Sequence, residues 1–321
     1  MSKKLTFRVD SDEMLPFPMR VDQYISLRIE GLTRSQFRSR SSDLKINNKK
    51  SKAATMVVPG DIIDFFLENL PSLELQAEEL PLEILFENSD ALVLNKARGM
   101  VVHPGPGNRS ATLVNGVLFY VQKFEGFDEG DIRPGIVHRL DKDTTGVLIL
   151  AKNIQAHSFL ANQFKARQTQ KMYYALGKVT PRGRQTLQYY SLPREIRNVL
   201  GRDPKNRQKF TVLPQSSGRG KEAVSIIRLL GHNDGATLGL FEIKLVTGRT
   251  HQIRVHLASL GYPISGDALY GRDSGPLLLH ARSLSITLPG EDYPRTFIAP
   301  LPSDFPEEFA RKIESKESGH G

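Results

Sequence analysis

Between residues 18 and 68 the hydrophobic period of the chain changes twice. Val21, Tyr24, Ile25 and Ile29 recur at the spacing of one helix face. After Gly31-Leu32-Thr33, the threonine reads as the cap of a second, short helix that begins Arg34-Ser35-Gln36-Phe37. Leu44-Lys45-Ile46 then alternates as a strand does, Asn47-Asn48 supplies a turn, and the run from Val57 through Pro59-Gly60-Asp61 to Ile63 turns into another strand. A unit of roughly 50 residues with two helices and few strands is marginal by itself, because so small a body buries little of its surface.

Beyond Leu82 the pattern is dominated by strand-like runs, at residues 91–94, 147–151, 173–179, 224–230 and 238–246. Helical periodicity interrupts them at 154–166 and again at 251–260. Many strands with few helices between them predict an α+β fold built on a mixed, largely antiparallel sheet, rather than a regular alternating parallel one. The predicted organisation is an amino-terminal αβ domain at 1–68, an acidic linker at 69–81 containing Pro71 and Pro81, a main domain at 82–305, and a polar tail at 306–321 that is expected to fray. No apolar run approaches the roughly 18 residues of a membrane span, and the start of the chain lacks an apolar leader, so the expectation is a cytoplasmic protein that acts as a monomer away from membranes.

Charge sharpens this picture through its distribution. Residues 1–52 hold 12 Lys/Arg against 6 Asp/Glu, residues 53–95 hold 9 acids and no base, and residues 165–228 hold 15 bases against 3 acids. Two basic blocks on either side of an acidic spacer favour a polyanionic partner, and neither block has the bulky apolar face of a membrane-surface helix. Nucleic acid is the expected partner.

Several chemistries are removed by inspection. With no cysteine there is no disulfide and no thiolate ligand or nucleophile. There is no serine-nucleophile elbow and no glycine-rich phosphate cradle. His251 and His256 stand five apart and cannot stack on one helix face as a metal pair would, so a structural role is expected for both and no metal site is expected.

What remains is HRLDKDTTG at residues 138–146, leading at once into the apolar run 147–151. A polar turn carried by a buried strand is where reactive groups are often mounted, although an aspartate capping its own turn is the simpler reading of the composition alone. The string itself resembles the signature of the RluA-type pseudouridine synthases, and its Thr145 variant is similar to the RluD branch. Four further strings appear in that family's order: VLNKARGMVVHPGPGN at 93–108, with Ala97 in place of a usual proline; Lys171-Met172-Tyr173; TGRTHQIRVHLASLGYPISGDALYG at 247–271; and LLLHARSL at 277–284. The amino-terminal pattern, with its basic helix and closing Pro-Gly-Asp, resembles the S4-type RNA-binding domain, although residues 38–43 are wholly polar where that domain usually carries apolar positions.

The resemblance implies a catalytic core of the pseudouridine synthase type and an S4-like domain before it. It implies that Asp141 is the catalytic carboxylate, that Arg254 pairs with it, and that Tyr173 stacks on the uracil and handles a proton. Leu279 would pack the other side of the base, and Arg139 would occupy the gap left by a flipped nucleotide. Without the family, Arg254 reads as a surface helix arginine, Tyr173 as a strand aromatic and Leu279 as core. Arg194, Arg202, Arg207 and Lys209 in the second basic block, with Arg34 and Arg38 in the first, are expected phosphate contacts. The implied activity is isomerisation of specific uridines, most plainly in large-subunit ribosomal RNA, with no metal or organic cofactor. The competing readings are a synthase acting on transfer RNA, a non-catalytic RNA-binding protein, and a glycosidase, which would need a second acid that Asp143 is too ordinary a neighbour to supply.

Overall fold

The computed structural model describes residues 2–11, 15–29, 32, 34–68, 75–105, 108–122, 124–127 and 133–319; Thr33 and residues 69–74 of the acidic stretch lie outside them. The chain divides into two compact units, Met1–Glu74 and Leu75–Gly321.

In the first unit the helices Val21–Arg28 and Arg34–Arg40 accompany an antiparallel four-stranded sheet in the order Ser2–Arg8, Ile62–Glu68, Ser41–Ile46, Lys49–Lys50. The positions at helical spacing do the packing, with Val21, Tyr24 and Ile25 buried with Phe37, Ile63 and Phe65. Phe37 meets Phe65 edge-on at 5.1 Å, so the short polar helix is held by a single apolar anchor. Asp22 is buried in the same unit, and Arg20, Arg34 and Arg38 converge on its carboxylate.

The second unit is built on a ten-stranded sheet. Its order is Phe210–Leu213, Arg194–Arg202, Lys221–His232, Leu238–Leu245, Gln170–Lys178, Leu279–Ile286, Thr145–Ala151, Ala91–Lys96, Glu83–Glu87, with Arg295–Ile298 also paired to Leu279–Ile286. Every pairing is antiparallel except one. Leu279–Ile286 meets Thr145–Ala151 in parallel, through His280 opposite Thr145 and Ala281 opposite Gly146. Gly146 has φ of 112°, and a Cβ there would stand 2.2 Å from the Ala281 carbonyl oxygen, so this close seam requires glycine. Each strand expected beyond Leu82 coincides with an observed one to within a residue at its end, and the helices Ile154–Ala166 and Gln252–Leu260 stand where the periodicity puts them.

Period-two alternation gives the sheet two covered faces. On Gln170–Lys178, Tyr173 and Ala175 join the main core, whereas Tyr174 and Leu176 enter a second cluster behind the sheet. That second cluster is closed by Phe309 and Ile313 of the helix Glu307–Glu317, which corrects the expectation of a frayed tail. Two apolar residues four apart supply one buried stripe, and Glu307 and Glu308 in the first turn suit the helix dipole. Of the acidic stretch, residues 75–81 pack on the helix Leu113–Val121: Asn115 donates to the Gln76 carbonyl at 2.7 Å, and Leu80 lies over Gly116.

Candidate active site

The parallel seam puts the turn before Thr145–Ala151 at the middle of the sheet, and Asp141 projects from that turn. Thr145 Oγ1 lies 2.9 Å from His280 Nδ1, tying the end of the turn to the neighbouring strand. From below, the Lys96 ammonium donates to the carbonyls of Lys142 at 2.8 Å, Ala97 at 2.8 Å and Met100 at 3.0 Å. This fully buried lysine joins the 97–100 loop to the Asp141 turn. Burial pushes its pKa down to about 8, against the opposing pull of Asp143 and Asp141. Lys96 lies within the 93–108 string, where spacing alone does not distinguish it from its neighbours.

Arg254 comes from the opposite side, on the first turn of Gln252–Leu260. The corner leading into that helix is organised by Gln252. Its Oε1 accepts from Thr247 Oγ1 at 2.7 Å and from the Arg249 N–H at 3.0 Å, and its Nε2 donates to the Val224 carbonyl at 3.0 Å and to Ser225 Oγ at 2.8 Å. Arg254 Nη1 then stands 3.6 Å from Asp141 Oδ2, an ion pair beyond hydrogen-bond length. Its Nε and Nη2 make a bidentate pair with the buried Asp267 at 2.8 and 2.9 Å. Asp267 follows Gly266, whose φ of 80° and tight approach to the Pro276 carbonyl exclude a side chain.

The structure gathers Asp141, Arg254, Tyr173, Leu279 and Arg139 around one cavity of about 100 Å³. Arg139, Asp141, His251 and Arg254 also line an adjoining cavity of about 690 Å³. Tyr173 is 6% exposed, and burial together with the charge of Asp141 raises the pKa of its phenol above the ordinary value, which keeps it protonated.

Three further groups belong to the site. His251 lies 4.0 Å from Asp141, because it is the left-handed cap before the helix (φ 56°) and not a helix residue. It lines the cavity together with Asp141 and Arg254, a position that the i, i+5 spacing does not reveal. Burial lowers its pKa while Asp141 pulls the other way. Tyr270 is 2.9 Å from His251 Nδ1 and lies under the Arg254 guanidinium at 5.1 Å. Asp267 and Tyr270 both fall inside the quoted 247–271 string, but spacing alone does not tell them from loop residues. His256 is buried against Ser225, as a structural histidine.

The expected phosphate contacts separate. Lys209 stands over the Tyr270 ring at 5.8 Å and Arg202 over the Phe210 ring at 5.2 Å, beside the site. Phe210 in turn meets His251 at 5.8 Å, so this hairpin reaches the cavity wall. Arg194 lies over Tyr189, and Arg207 accepts from Arg202 through its carbonyl. Arg34 and Arg38 lie in the first unit, around Asp22.

A carboxylate faced by an arginine, with a protonated phenol and an apolar wall beside it and cations around it, is equipment for chemistry on a base carried by a polyanion. The sequence profile described as RNA pseudouridylate synthase matches residues 90–259. The ribosomal large subunit pseudouridine synthase D of Borreliella burgdorferi is 40% identical over 299 residues, covering 89% of this chain and 87% of that protein. The protein of the same name from Zymomonas mobilis is 38% identical over 269 residues, covering 82% and 79%. The solved structure of human RNA pseudouridylate synthase domain containing 1 superposes with a TM-score of 0.55 at 25% identity, over 73% of this chain and 86% of that one. The chain belongs to the RNA pseudouridylate synthase family. Among the described residues no helix is long and apolar enough to cross a membrane.

Proposed function

We propose that this enzyme isomerises uridine to pseudouridine in large-subunit ribosomal RNA, with Asp141 as the group that acts at the sugar. The reaction breaks C1′–N1, turns the uracil, forms C1′–C5 and moves the C5 proton away while N1 gains one; atoms and electrons balance without a redox partner. The observation that carries the reading is Asp141 at 3.6 Å from Arg254, in one cavity with Tyr173 and Leu279. An arginine at that distance orients the carboxylate and offsets its charge, and a carboxylate is a group that can act as nucleophile or base. Tyr173 and Leu279 would hold the two faces of the uracil. A phenol that stays protonated would take the C5 proton only in concert with passing on its own.

A uridine within a stem must leave the stack, at a cost of a few kcal/mol, before it reaches such a cavity. Arg139, exposed at the rim, would fill the gap or hold the flanking phosphates. Arg194, Arg202, Arg207 and Lys209 would track the backbone, and the first unit would serve as an S4-like RNA-binding domain through Arg34 and Arg38. The two relatives named for the large ribosomal subunit support that substrate over transfer RNA. Residues of one chain complete the cavity, so a monomer suffices, and a ribosomal RNA substrate goes with a cytoplasmic enzyme.

The test is release of the C5 hydrogen from unmodified transcripts labelled at uracil C5. Release from large-subunit ribosomal RNA is expected. Release from transfer RNA alone would reassign the substrate, and release from neither would sink the reading.

A further inference from the structure

A cavity of about 410 Å³ shares Arg139, Tyr173, Leu245, Gly248 and Arg249 with the Asp141 cavity. Its lining brings together Arg139, Lys165, Arg167, Lys171 and Arg249, and includes no aspartate or glutamate. Among the described residues no carboxylate forms an ion pair with any of the five. Elsewhere in this unit part-buried cations do find acids, as Arg254 finds Asp267 and Arg282 finds Glu317.

A solvated basic face would explain part of this. Lys165 and Arg167 close the helix Ile154–Ala166, where the dipole favours cations, and both are exposed. That account does not extend to the others. Arg139 arrives from the Asp141 turn, Arg249 from the corner before Gln252–Leu260, and Lys171 from the strand that carries Tyr173. Lys171 is part-buried, 6.0 Å from the Phe164 ring, and both burial and the charge of Arg167 hold its pKa below the ordinary value. Four separate elements thus bring like charges to one hollow and leave them without an internal counter-ion, and such an arrangement is stabilised by an external anion.

We infer that this cavity is a phosphate subsite, taking a backbone phosphodiester of the RNA strand next to the uridine held at Asp141. The inference rests on the uridine-isomerase reading and adds to it where the strand runs: past Arg139, along the wall shared through Tyr173 and Arg249. A phosphodiester fits because it is the anion that a strand with one nucleotide in the Asp141 cavity carries into a hollow sharing five of that cavity's lining residues.

The test compares the full chain with Arg167→Gln/Lys171→Met and with a control, Arg311→Gln/Lys312→Gln, which removes two charges on the distant carboxy-terminal helix. Each binds the same C5-labelled large-subunit ribosomal RNA transcript across a potassium chloride series. Loss of one phosphate contact should make the slope of log affinity on log salt shallower by roughly 0.7 to 0.9 in the pocket variant and leave the control unchanged. Arg167→Gln alone, at an exposed helix cap, should give a smaller change of the same sign and stands in if the double variant does not fold. A pocket-variant slope equal to that of the wild type, or a change matched by the control, overturns the subsite. C5-hydrogen release by the wild type from that transcript checks the underlying reading separately. Release with unchanged slopes sinks the subsite alone, whereas no release sinks both.

Discussion

Arg254 divides its guanidinium between two carboxylates: Nε and Nη2 hold Asp267 at 2.8 and 2.9 Å, while Nη1 faces Asp141 across 3.6 Å. The bidentate pair sets the plane of the guanidinium, and Tyr270 supports its face at 5.1 Å. Asp267 is in turn fixed by the backbone N–H groups of Leu269 and Tyr270, each at 3.0 Å. Asp141 therefore meets a cation whose position is set by other groups and which keeps one edge free for it.

Replacing Asp267 with Asn should remove the ionic partner of a buried guanidinium and loosen its aim. Breaking a buried pair from one side costs about 3 kcal/mol, so thermal denaturation should show a clear fall in midpoint. Turnover should fall as well, and Arg254→Ala should show the same loss of turnover. C5-hydrogen release at the wild-type rate in Asp267→Asn would mean that Arg254 does not depend on this partner.

Asp141→Asn keeps the shape of the side chain and removes its capacity to act as nucleophile or base. Release should drop by at least roughly 10³-fold, while melting and RNA affinity stay near wild type. Substantial residual turnover would take Asp141 out of its proposed role.

Tyr173→Phe retains the ring and deletes the phenol. Binding should survive, and the chemical step in single-turnover kinetics should slow by about 10²-fold. An unchanged step would leave Tyr173 as a stacking surface only.

The buried Lys96 provides a pH test. Its pKa is about 8 in the folded chain against 10.5 for an ordinary lysine. Between those values the unfolded chain binds more protons than the folded one, so the contribution of this group to stability rises with pH across that window. Below it, the folded chain carries a buried ammonium at a cost. Lys96→Met lacks the titration, and both proteins share all other titrating groups. The stability difference between wild type and variant should therefore shift in favour of wild type by up to about 3 kcal/mol from pH 8 to 10.5. A difference that does not change with pH would show that the lysine is not held in this depressed state. Because Lys96 ties the 97–100 loop to the Asp141 turn, the variant should also lose activity at pH 7.

The extent to which the sequence was legible follows from what each signal reports. Ile154–Ala166 was readable because its apolar positions keep one period and Asn153 caps it. Leu113–Val121 was not, because so short and apolar a run as LVNGVLFYV suits a buried strand as well as a helix; its start is marked by a Thr112–Asn115 capping box. Within the site, residues in the quoted strings could be assigned by resemblance, but their partners could not. Asp267 and Tyr270 lie 13 and 16 positions beyond Arg254 and reach it only through the turn at Gly266. His251 reaches the cavity because its backbone is left-handed at the helix cap, which a spacing rule for helices does not report. Lys171 looks like part of an aromatic motif until the fold puts Arg139, Arg167 and Arg249 around the same hollow.

Removing residues 1–74 tests what the first unit contributes. The cut falls at the boundary between the compact units and keeps residues 75–81, which pack on Leu113–Val121 and would be left as a raw edge by a cut further on. Both units have buried cores of their own, so the remaining chain should fold. It keeps Asp141, Arg254, Asp267, Tyr173 and the basic hairpin, and should still release C5 hydrogen at high enzyme concentration. It loses 12 Lys/Arg, among them Arg34 and Arg38, whose contacts to phosphate are weakened but not removed by sharing the charge of Asp22 with Arg20. Even two or three remaining phosphate contacts would make the slope of log affinity on log salt shallower by roughly 2 in the truncated chain. Affinity for the ribosomal transcript and selectivity among its uridines should fall with it. Binding with the full-length affinity and slope would show that this unit is not an RNA anchor and that its basic residues only solvate its surface.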